Sequence, residues 1–289
     1  MATVSEWIEG ARPRTLPNAI APVVAGVGAA IALDAFSWWR SLLALFVALS
    51  LIIGVNFAND YSDGVRGTDE NRVGPLRLVG SGTAAPKAVL RAALGCLGVA
   101  GVLGLALVVL TGHWWLLVMG ALCILGAWFY TGGKKPYGYY GFGEIAVFVF
   151  FGLAAVLGTA YVQAGRVSWA ALGCAVAVGC FSMGVLTANN LRDIPTDLES
   201  GKRTLATRLG DQGTRRMYLT LVAVPYVVSV LLGIWHPLVL ITLVTAPMLL
   251  KSVKAVGGGQ HGRALIPALR DTGLAMLAWA VLSAVALSF

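Results

Sequence analysis

Asn56-Phe-Ala-Asn59-Asp60-Tyr-Ser-Asp63-Gly-Val-Arg66-Gly-Thr-Asp69 stands where a long apolar run meets the first strongly charged loop of the chain. The run reads as a membrane helix and the stretch as its acidic end. At 3.6 residues per turn, positions 56, 60 and 63 share one face, so an amide and two carboxylates point the same way and can share a cation. A second stretch answers it: Asn189-Asn190-Leu-Arg192-Asp193-Ile-Pro-Thr-Asp197-Leu-Glu-Ser-Gly201-Lys202-Arg203-Thr204, again closing an apolar run. Asn189, Asp193 and Asp197 recur at every fourth position, and Asp60 and Asp193 lie 133 positions apart. This repeat predicts one domain, 1–289, made of two related halves, about 1–140 and 141–289, each bringing a polar helix end to the same place.

Composition sets the environment. The chain is 58% hydrophobic and 12% charged over 289 residues, where a soluble domain carries about a quarter charged residues. An all-α polytopic membrane protein is expected, embedded in a lipid bilayer, with neither a separate soluble domain nor a nucleic-acid partner. The 36 glycines suit helices that approach closely in lipid. Cys96, Cys123, Cys174 and Cys180 fall inside apolar runs and read as small buried hydrophobes. Glu6 and Glu9 precede Arg12 and Arg14, so the N-terminus does not read as a cleaved signal peptide. Trp7 and Ile8 among polar neighbours read instead as a short interfacial helix.

Apolar runs at about 19–33, 42–58, 88–110, 114–130, 142–161, 169–188, 218–235, 238–256 and 272–289 predict nine transmembrane helices. Basic residues should then gather in alternate loops. Arg12 and Arg14 fall on one side, with Arg66, Arg72, Arg77, Lys87 and Arg91, then Lys134 and Lys135. Arg192, Lys202, Arg203, Arg208, Arg215 and Arg216 join them, as do Lys251, Lys254, Arg263 and Arg270. Only Arg40 and Arg166 of the 21 basic residues lie opposite, which predicts a cell-membrane protein with its N-terminus and charged loops cytoplasmic. All of the 13 acids except Asp34 share that side, a crowding that topology does not require.

Two Asn/Asp clusters with Arg66, Arg72, Arg77, Lys202 and Arg203 in the attached loops suit a magnesium-bound diphosphate. Mg2+ takes oxygen ligands, and cations complete the neutralisation of phosphate. Between the clusters runs Tyr130-Thr-Gly-Gly-Lys134-Lys135-Pro136-Tyr137-Gly-Tyr139-Tyr140-Gly-Phe-Gly143-Glu144. Its aromatic rings suit the place where an allylic cation forms. Glu144, just inside a span, either orients a ring hydroxyl or pairs with Lys134 or Lys135. His113, His236 and His261 have no second ligand at metal spacing and read as surface residues.

These residues resemble the UbiA-type intramembrane prenyltransferases over nearly the whole chain. The resemblance rests on Ala11-Arg-Pro-Arg-Thr-Leu-Pro-Asn18, Asn59-Asp-Tyr-Ser-Asp63 through Gly67-Thr-Asp69, and Gly74-Pro-Leu-Arg77-Leu-Val-Gly-Ser81-Gly82. It continues in Tyr130-Thr-Gly-Gly133 with Pro136-Tyr-Gly138, and in Asn189 to Thr204. The resemblance implies nine helices around a central cavity with a cytoplasmic cap. It implies that Asp60, Asp63, Asp193 and Asp197 bind two Mg2+ ions bridging a polyprenyl diphosphate, with Asn59 and Asn189 assisting; Asn56 and Arg192 are further candidates for holding the diphosphate. Within the family the branch that prenylates 1,4-dihydroxy-2-naphthoate with loss of its carboxylate is the nearest in pattern, with Tyr130 and Glu144 beside the reacting centre and Lys134 and Tyr137 near the diphosphate. The family motif ends in a further Asp, but that position is Gly67 here, and the next acid is Asp69.

A CDP-alcohol phosphotransferase is excluded, since Asp63-Gly64 is followed by Val-Arg-Gly-Thr rather than by that family's Ala-Arg. A transporter would place its charges at mid-membrane, whereas these cluster at one face. The basic asymmetry predicts that, in a background lacking the native cysteines, a cysteine at Gly259 reacts with an impermeant thiol reagent only from the cytoplasmic side. One at Gly112 reacts only from outside, and labelling of both from one side would refute the topology.

Overall fold

The computed structural model describes residues 2–67 and 76–289, and among them the chain is helical, with no β-strand. Helix α1 (Val4–Gly10) is short and opens on a capping box in which Thr3 and Glu6 satisfy each other's backbone N–H groups. A turn at Pro13–Thr15 leads into α2 (Pro17–Ile31), the two segments meeting at 48°. There follow α3 (Trp38–Arg66), α4 (Pro86–Thr111), α5 (Leu116–Phe129) and α6 (Gly143–Ala164), the last wound as a π-helix over Phe148–Leu157. Then come α7 (Trp169–Glu199), α8 (Leu205–Leu232), α9 (Pro237–Gly257) and α10 (Gly262–Ala286).

Each apolar run expected from the sequence forms a helical segment, yet the count of spans differs. Among the described residues seven helices are long and apolar enough to cross a membrane, or eight if the bent pair around residue 16 is one span. The difference from nine lies at α2, which qualifies only together with the bent segment before it, and at α5, whose 14 residues reach about 21 Å against a hydrocarbon core of about 30 Å. The apolar run there includes Trp114, Trp115 and Tyr130, but the backbone turns before Leu116 and the helix closes at Tyr130.

Helix α7 is central, packing against α2, α6, α8 and α10. Its Val178 and Phe181 join Tyr218, Met276 and Trp279 in the largest apolar cluster. Trp279 Nε1 donates to Ser229 Oγ at 2.9 Å, so the one polar atom of that large ring is satisfied inside the core. Outward faces of the bundle, such as Val102, Leu110, Val118 and Val244, leave their side chains exposed, as lipid-facing residues do.

Both long polar-ended helices overrun the apolar core. Helix α3 carries its last turns, Asn56 to Arg66, past the apolar run and stops at Gly67, where φ is +72°. Only glycine enters that left-handed conformation without cost, so the position at which the family motif has Asp serves here as the helix stop.

The α6–α7 seam depends on Gly152, where an added Cβ would stand 2.7 Å from both Ala175 O and Gly179 Cα. Gly98, by contrast, faces outward with nothing near it. Gly152→Val should therefore lower the unfolding temperature in detergent by about 3–10 °C through overpacking. Gly98→Val should leave it unchanged, and equal effects would refute the seam's role.

Candidate active site

A cavity of about 670 Å³ lies among helices α2 to α7, with Leu269 of α10 at its wall. Along α3 its lining passes from Ala44, Ala48 and Ile52 to Asn56, Asn59 and Asp63, and along α7 from Ser182 and Leu186 to Asn189, Asp193 and Asp197. One end is thus apolar, closed by Val23, Leu107, Val108, Leu116 and Val162, and the other is crowded with oxygen atoms and cations.

The first cluster divides in two. Asn59 and Asp63 line the cavity, whereas Asp60 is fully buried and turned away from it. Asp60 Oδ2 accepts from Leu78 N at 2.8 Å and Oδ1 from Val79 N at 3.0 Å, so both oxygens are engaged by backbone. Helix geometry explains the split: positions 59 and 60 point about 100° apart, and 59 and 63 lie nearer to one direction. The three-residue face expected from the sequence grouped 60 with 63, but 59 belongs with 63. Asn56 also lines the cavity, with Nδ2 donating to Ala11 O and Thr15 Oγ1, both at 2.9 Å. Asn59 Oδ1 accepts from Thr131 Oγ1 at 2.7 Å.

Two cations far apart in sequence reach Asp63: Arg77 Nη2 and Lys202 Nζ each stand 3.8 Å from its carboxylate. In the second cluster Arg192 grips Asp193 through Nε at 2.6 Å and Nη2 at 2.8 Å, and Nη2 also donates to Asn189 Oδ1 at 2.8 Å. Arg192 thus stands behind Asp193 and orients it, outside the cavity lining. Asp197 and Lys202 line the cavity, and Lys202 N donates to Asp197 O at 2.8 Å, folding the loop back over the helix end.

The loop between α5 and α6 bridges the two clusters. The Tyr139 hydroxyl donates to Asp63 Oδ1, Lys202 Nζ lies 4.7 Å from the Tyr139 ring centroid, and Arg66 Cζ lies 5.5 Å from it. Arg203 N donates to Tyr139 O at 2.9 Å. Arg66 donates to Thr131 O and Gly133 O, which pins the loop to the end of α3. Tyr130 and Tyr137 meet edge to face at 5.6 Å and both line the cavity. Tyr137 donates to Gly126 O at 2.6 Å, and burial pushes its phenol up, so it stays protonated. Lys134 and Arg203 are exposed and outside the lining. Glu144 is buried, and its partner is Asn190 at 2.8 Å rather than Lys134 or Lys135. Arg72 and Asp69 lie outside the described residues.

Sequence reasoning passed over Arg12 and Tyr139 as site residues. Arg12 is a non-glycine residue at φ +55°, held by Thr15 Oγ1 donating to its carbonyl at 2.8 Å. Its side chain lines the cavity, and Nε and Nη2 are buried without a partner. A buried guanidinium with two idle donors is built for an anion. Its signal in the sequence was the Arg-Pro-Arg segment, whose role no spacing rule reveals.

Among the described residues no group of three or more Asp, Glu, His or Cys side chains gathers at metal-binding range. The donors present are nevertheless hard oxygen ligands in two sets, Asn59 with Asp63 and Asn189 with Asp193 and Asp197. That fits Mg2+, which is commonly held by one or two carboxylates with phosphate and water completing the shell.

Residues 19–263 match the UbiA prenyltransferase family. The chain is 59% identical to the 1,4-dihydroxy-2-naphthoate octaprenyltransferase of Mycobacterium tuberculosis, covering 100% of this chain and 99% of that protein. It is 37% identical to the enzyme of the same name from Escherichia coli, over 92% of this chain and 89% of the other. A UbiA homologue from Archaeoglobus fulgidus bound to DMAPP and Mg2+ has the same fold, with TM-score 0.68 and 13% identity over 98% of this chain and 99% of that one.

The two neighbouring aspartates should separate in stability. Asp60→Asn must set an amide NH2 against the N–H of Leu78 or Val79, a buried mismatch of about 1–3 kcal/mol, and should lower the unfolding temperature by about 3–10 °C. Asp63→Asn keeps an acceptor for Tyr139 and should stay within about 2 °C of the parent. The reverse order in a thermal melt in detergent would refute the division.

Proposed function

The chain belongs to the UbiA prenyltransferase family, and from that premise we propose how its cavity works as an aromatic prenyltransferase that moves a polyprenyl group from a polyprenyl diphosphate to 1,4-dihydroxy-2-naphthoate. The observation that carries the reading is a single cavity joining a mouth of carboxylates, amides and cations to an apolar interior. A prenyl diphosphate has the same two ends. The diphosphate lies at the mouth and the chain in the apolar part, on a bundle whose two halves each supply one cluster.

In this reading Asn59 and Asp63 hold one Mg2+, and Asn189, Asp193 and Asp197 the other. A homologue of the same fold binds its diphosphate with Mg2+, and the oxygen donors here are suited to it. Bound Mg2+ supplies positive charge where the leaving diphosphate develops negative charge. Asp60, expected to be a fourth ligand, is assigned to holding the segment that carries Arg77. Arg77 and Lys202 add fixed positive charge beside the diphosphate, and Arg192 keeps Asp193 in place.

The allylic C–O bond breaks with its electron pair going to the diphosphate. The ring carbon that bears the carboxylate attacks the allylic carbon, and the carboxylate leaves as CO2, its bonding electrons restoring the aromatic ring. Tyr130 and Tyr137 present ring surface to the allylic centre without a charge of their own, because Tyr137 stays protonated. Arg12 supplies the idle donors that a naphthoate carboxylate needs. Nine membrane passes, with the mouth facing the cytoplasm, complete the proposal and agree with the basic asymmetry of the loops.

Loss of the carboxylate separates this acceptor from hydroxybenzoate, which keeps its own. Naphthoate labelled at the carboxyl carbon should release labelled CO2 in step with diphosphate, given Mg2+ and a polyprenyl diphosphate. Efficient transfer to hydroxybenzoate with none to the naphthoate would overturn the acceptor while leaving the family intact.

A further inference from the structure

Glu144 is 1% exposed at the start of α6, and only one of its carboxylate oxygens has a partner. Oε1 accepts from Asn190 Nδ2 at 2.8 Å, whereas Oε2 is buried without any hydrogen bond. An ionisable side chain kept in the apolar part of a membrane bundle with half of its capacity idle is costly, and such residues are functional candidates by default. Glu144 does not itself line the cavity; Asn190 does. The carboxylate therefore acts on the cavity through the amide.

One hydrogen bond fixes which end of the amide faces the cavity. With Nδ2 committed to Glu144, Oδ1 is left as an acceptor that receives no hydrogen bond from any described residue. Leu186, Ala146 and Val147 line the same cavity as Asn190, and the Tyr130 hydroxyl and Leu186 border Gly143, next to Glu144, where an added methyl would stand 3.3 and 3.5 Å from them. A fixed acceptor on the wall of a cavity that also presents aromatic rings is suited to a donor carried on a flat ring. A hydroxyl fits, and a methoxy group, a bare C–H or a quinone carbonyl does not.

We propose that the Glu144–Asn190 pair is the point at which the enzyme recognises a phenolic hydroxyl of its acceptor, Asn190 accepting the hydrogen bond and Glu144 acting as the positioning residue that holds the amide. This rests on the aromatic acceptor argued above and adds which of its groups is read. In 1,4-dihydroxy-2-naphthoate the 1-hydroxyl lies beside the carboxylate and bonds to it internally, so the 4-hydroxyl is the free donor. As the attacked ring gains positive charge that hydroxyl becomes a stronger donor, so the contact tightens in the transition state and affects kcat as well as KM.

The test compares kcat/KM for 1,4-dihydroxy-2-naphthoate with that for 1-hydroxy-2-naphthoate, using the full-length enzyme, one polyprenyl diphosphate and Mg2+. Intrinsic reactivity differs between the two acceptors, but that difference cancels when the ratio for a variant is divided by the ratio for the parent. Asn190→Ala should shrink the preference for the dihydroxy acceptor by about tenfold, the scale of a lost buried hydrogen bond, with KM for the prenyl diphosphate within about twofold. Glu144→Gln, which keeps volume and an acceptor, should shrink it in the same direction by less, and it carries the test if Asn190→Ala does not fold. A preference unchanged in the variants that fold would overturn the proposal. Failure of the parent enzyme to prenylate either naphthoate would instead overturn the acceptor assignment itself.

Discussion

The mouth of the cavity depends on one carboxylate that never faces it. Asp60 takes the backbone N–H groups of Leu78 and Val79 on its two oxygens, which draws the segment after the first charged loop against the end of α3. Arg77, next to Leu78, is thereby delivered to within 3.8 Å of Asp63, one turn further along the same helix. Phe57, Ala58, Leu78, Val89 and Ala93 close an apolar cluster over the contact and keep water from competing for it. A hydrogen bond from a backbone N–H to a charged acceptor is stronger than a neutral one and strongest where water is excluded. Placing the chemistry at Asp63 and the anchoring at Asp60 lets adjacent residues serve both ends.

The bilayer imposes the rest. Every backbone polar group in lipid must be satisfied within the bundle, so the spans are helices and the polar machinery collects where helices overrun the hydrocarbon. Helices α3 and α7 do this in the same way, with an amide and a carboxylate four residues on facing one cavity. They differ in what stands behind the carboxylate. Asp63 meets cations carried by separate loops, Arg77 and Lys202, and a phenol from a third, Tyr139. Asp193 is held by its own neighbour Arg192. The first cluster can therefore form only when three connections have come together, whereas the second is nearly complete within its own helix.

That contrast explains what was legible in the sequence. Periodicity and charge parity gave the helices, the one-sided clustering of acids and the pairing of the two motifs, because each is a property of a single run of residues. Asn189, Asp193 and Asp197 were legible as one helix face for the same reason, and all three line the cavity. The assignment of Asp60 turned on which neighbour along the chain, at residues 78 and 79, would claim its oxygens, and no local pattern encodes a contact across 18 positions. Tyr139 was masked by Tyr130, Tyr137 and Tyr140, since four tyrosines in one loop look alike until the loop is folded. Arg12 was hidden because its signal is a strained backbone and two idle nitrogens, neither of which has a sequence period. Nine apolar runs were legible, but α2 and α5 are too short to count as spans by themselves, α5 because aromatic residues at the ends of its run belong to turns.

Charge at the cavity wall argues for how a diphosphate enters. Among the described residues lining the cavity, Arg12, Arg77 and Lys202 oppose Asp63, Asp193 and Asp197, so three positive side chains face three negative ones. Such a wall offers no net attraction to a polyanion, and the carboxylates would repel it at close range. The basic residues are also partly spent, since Arg77 and Lys202 already lie near Asp63. Divalent cations arriving with the diphosphate would reverse both terms, because they would satisfy the carboxylates and leave Arg77 and Lys202 to face phosphate oxygens. The lining thus suits a metal-bound diphosphate better than the free anion: such cations would hold the leaving group at the mouth, and an allylic centre lying in the apolar part would be kept from water.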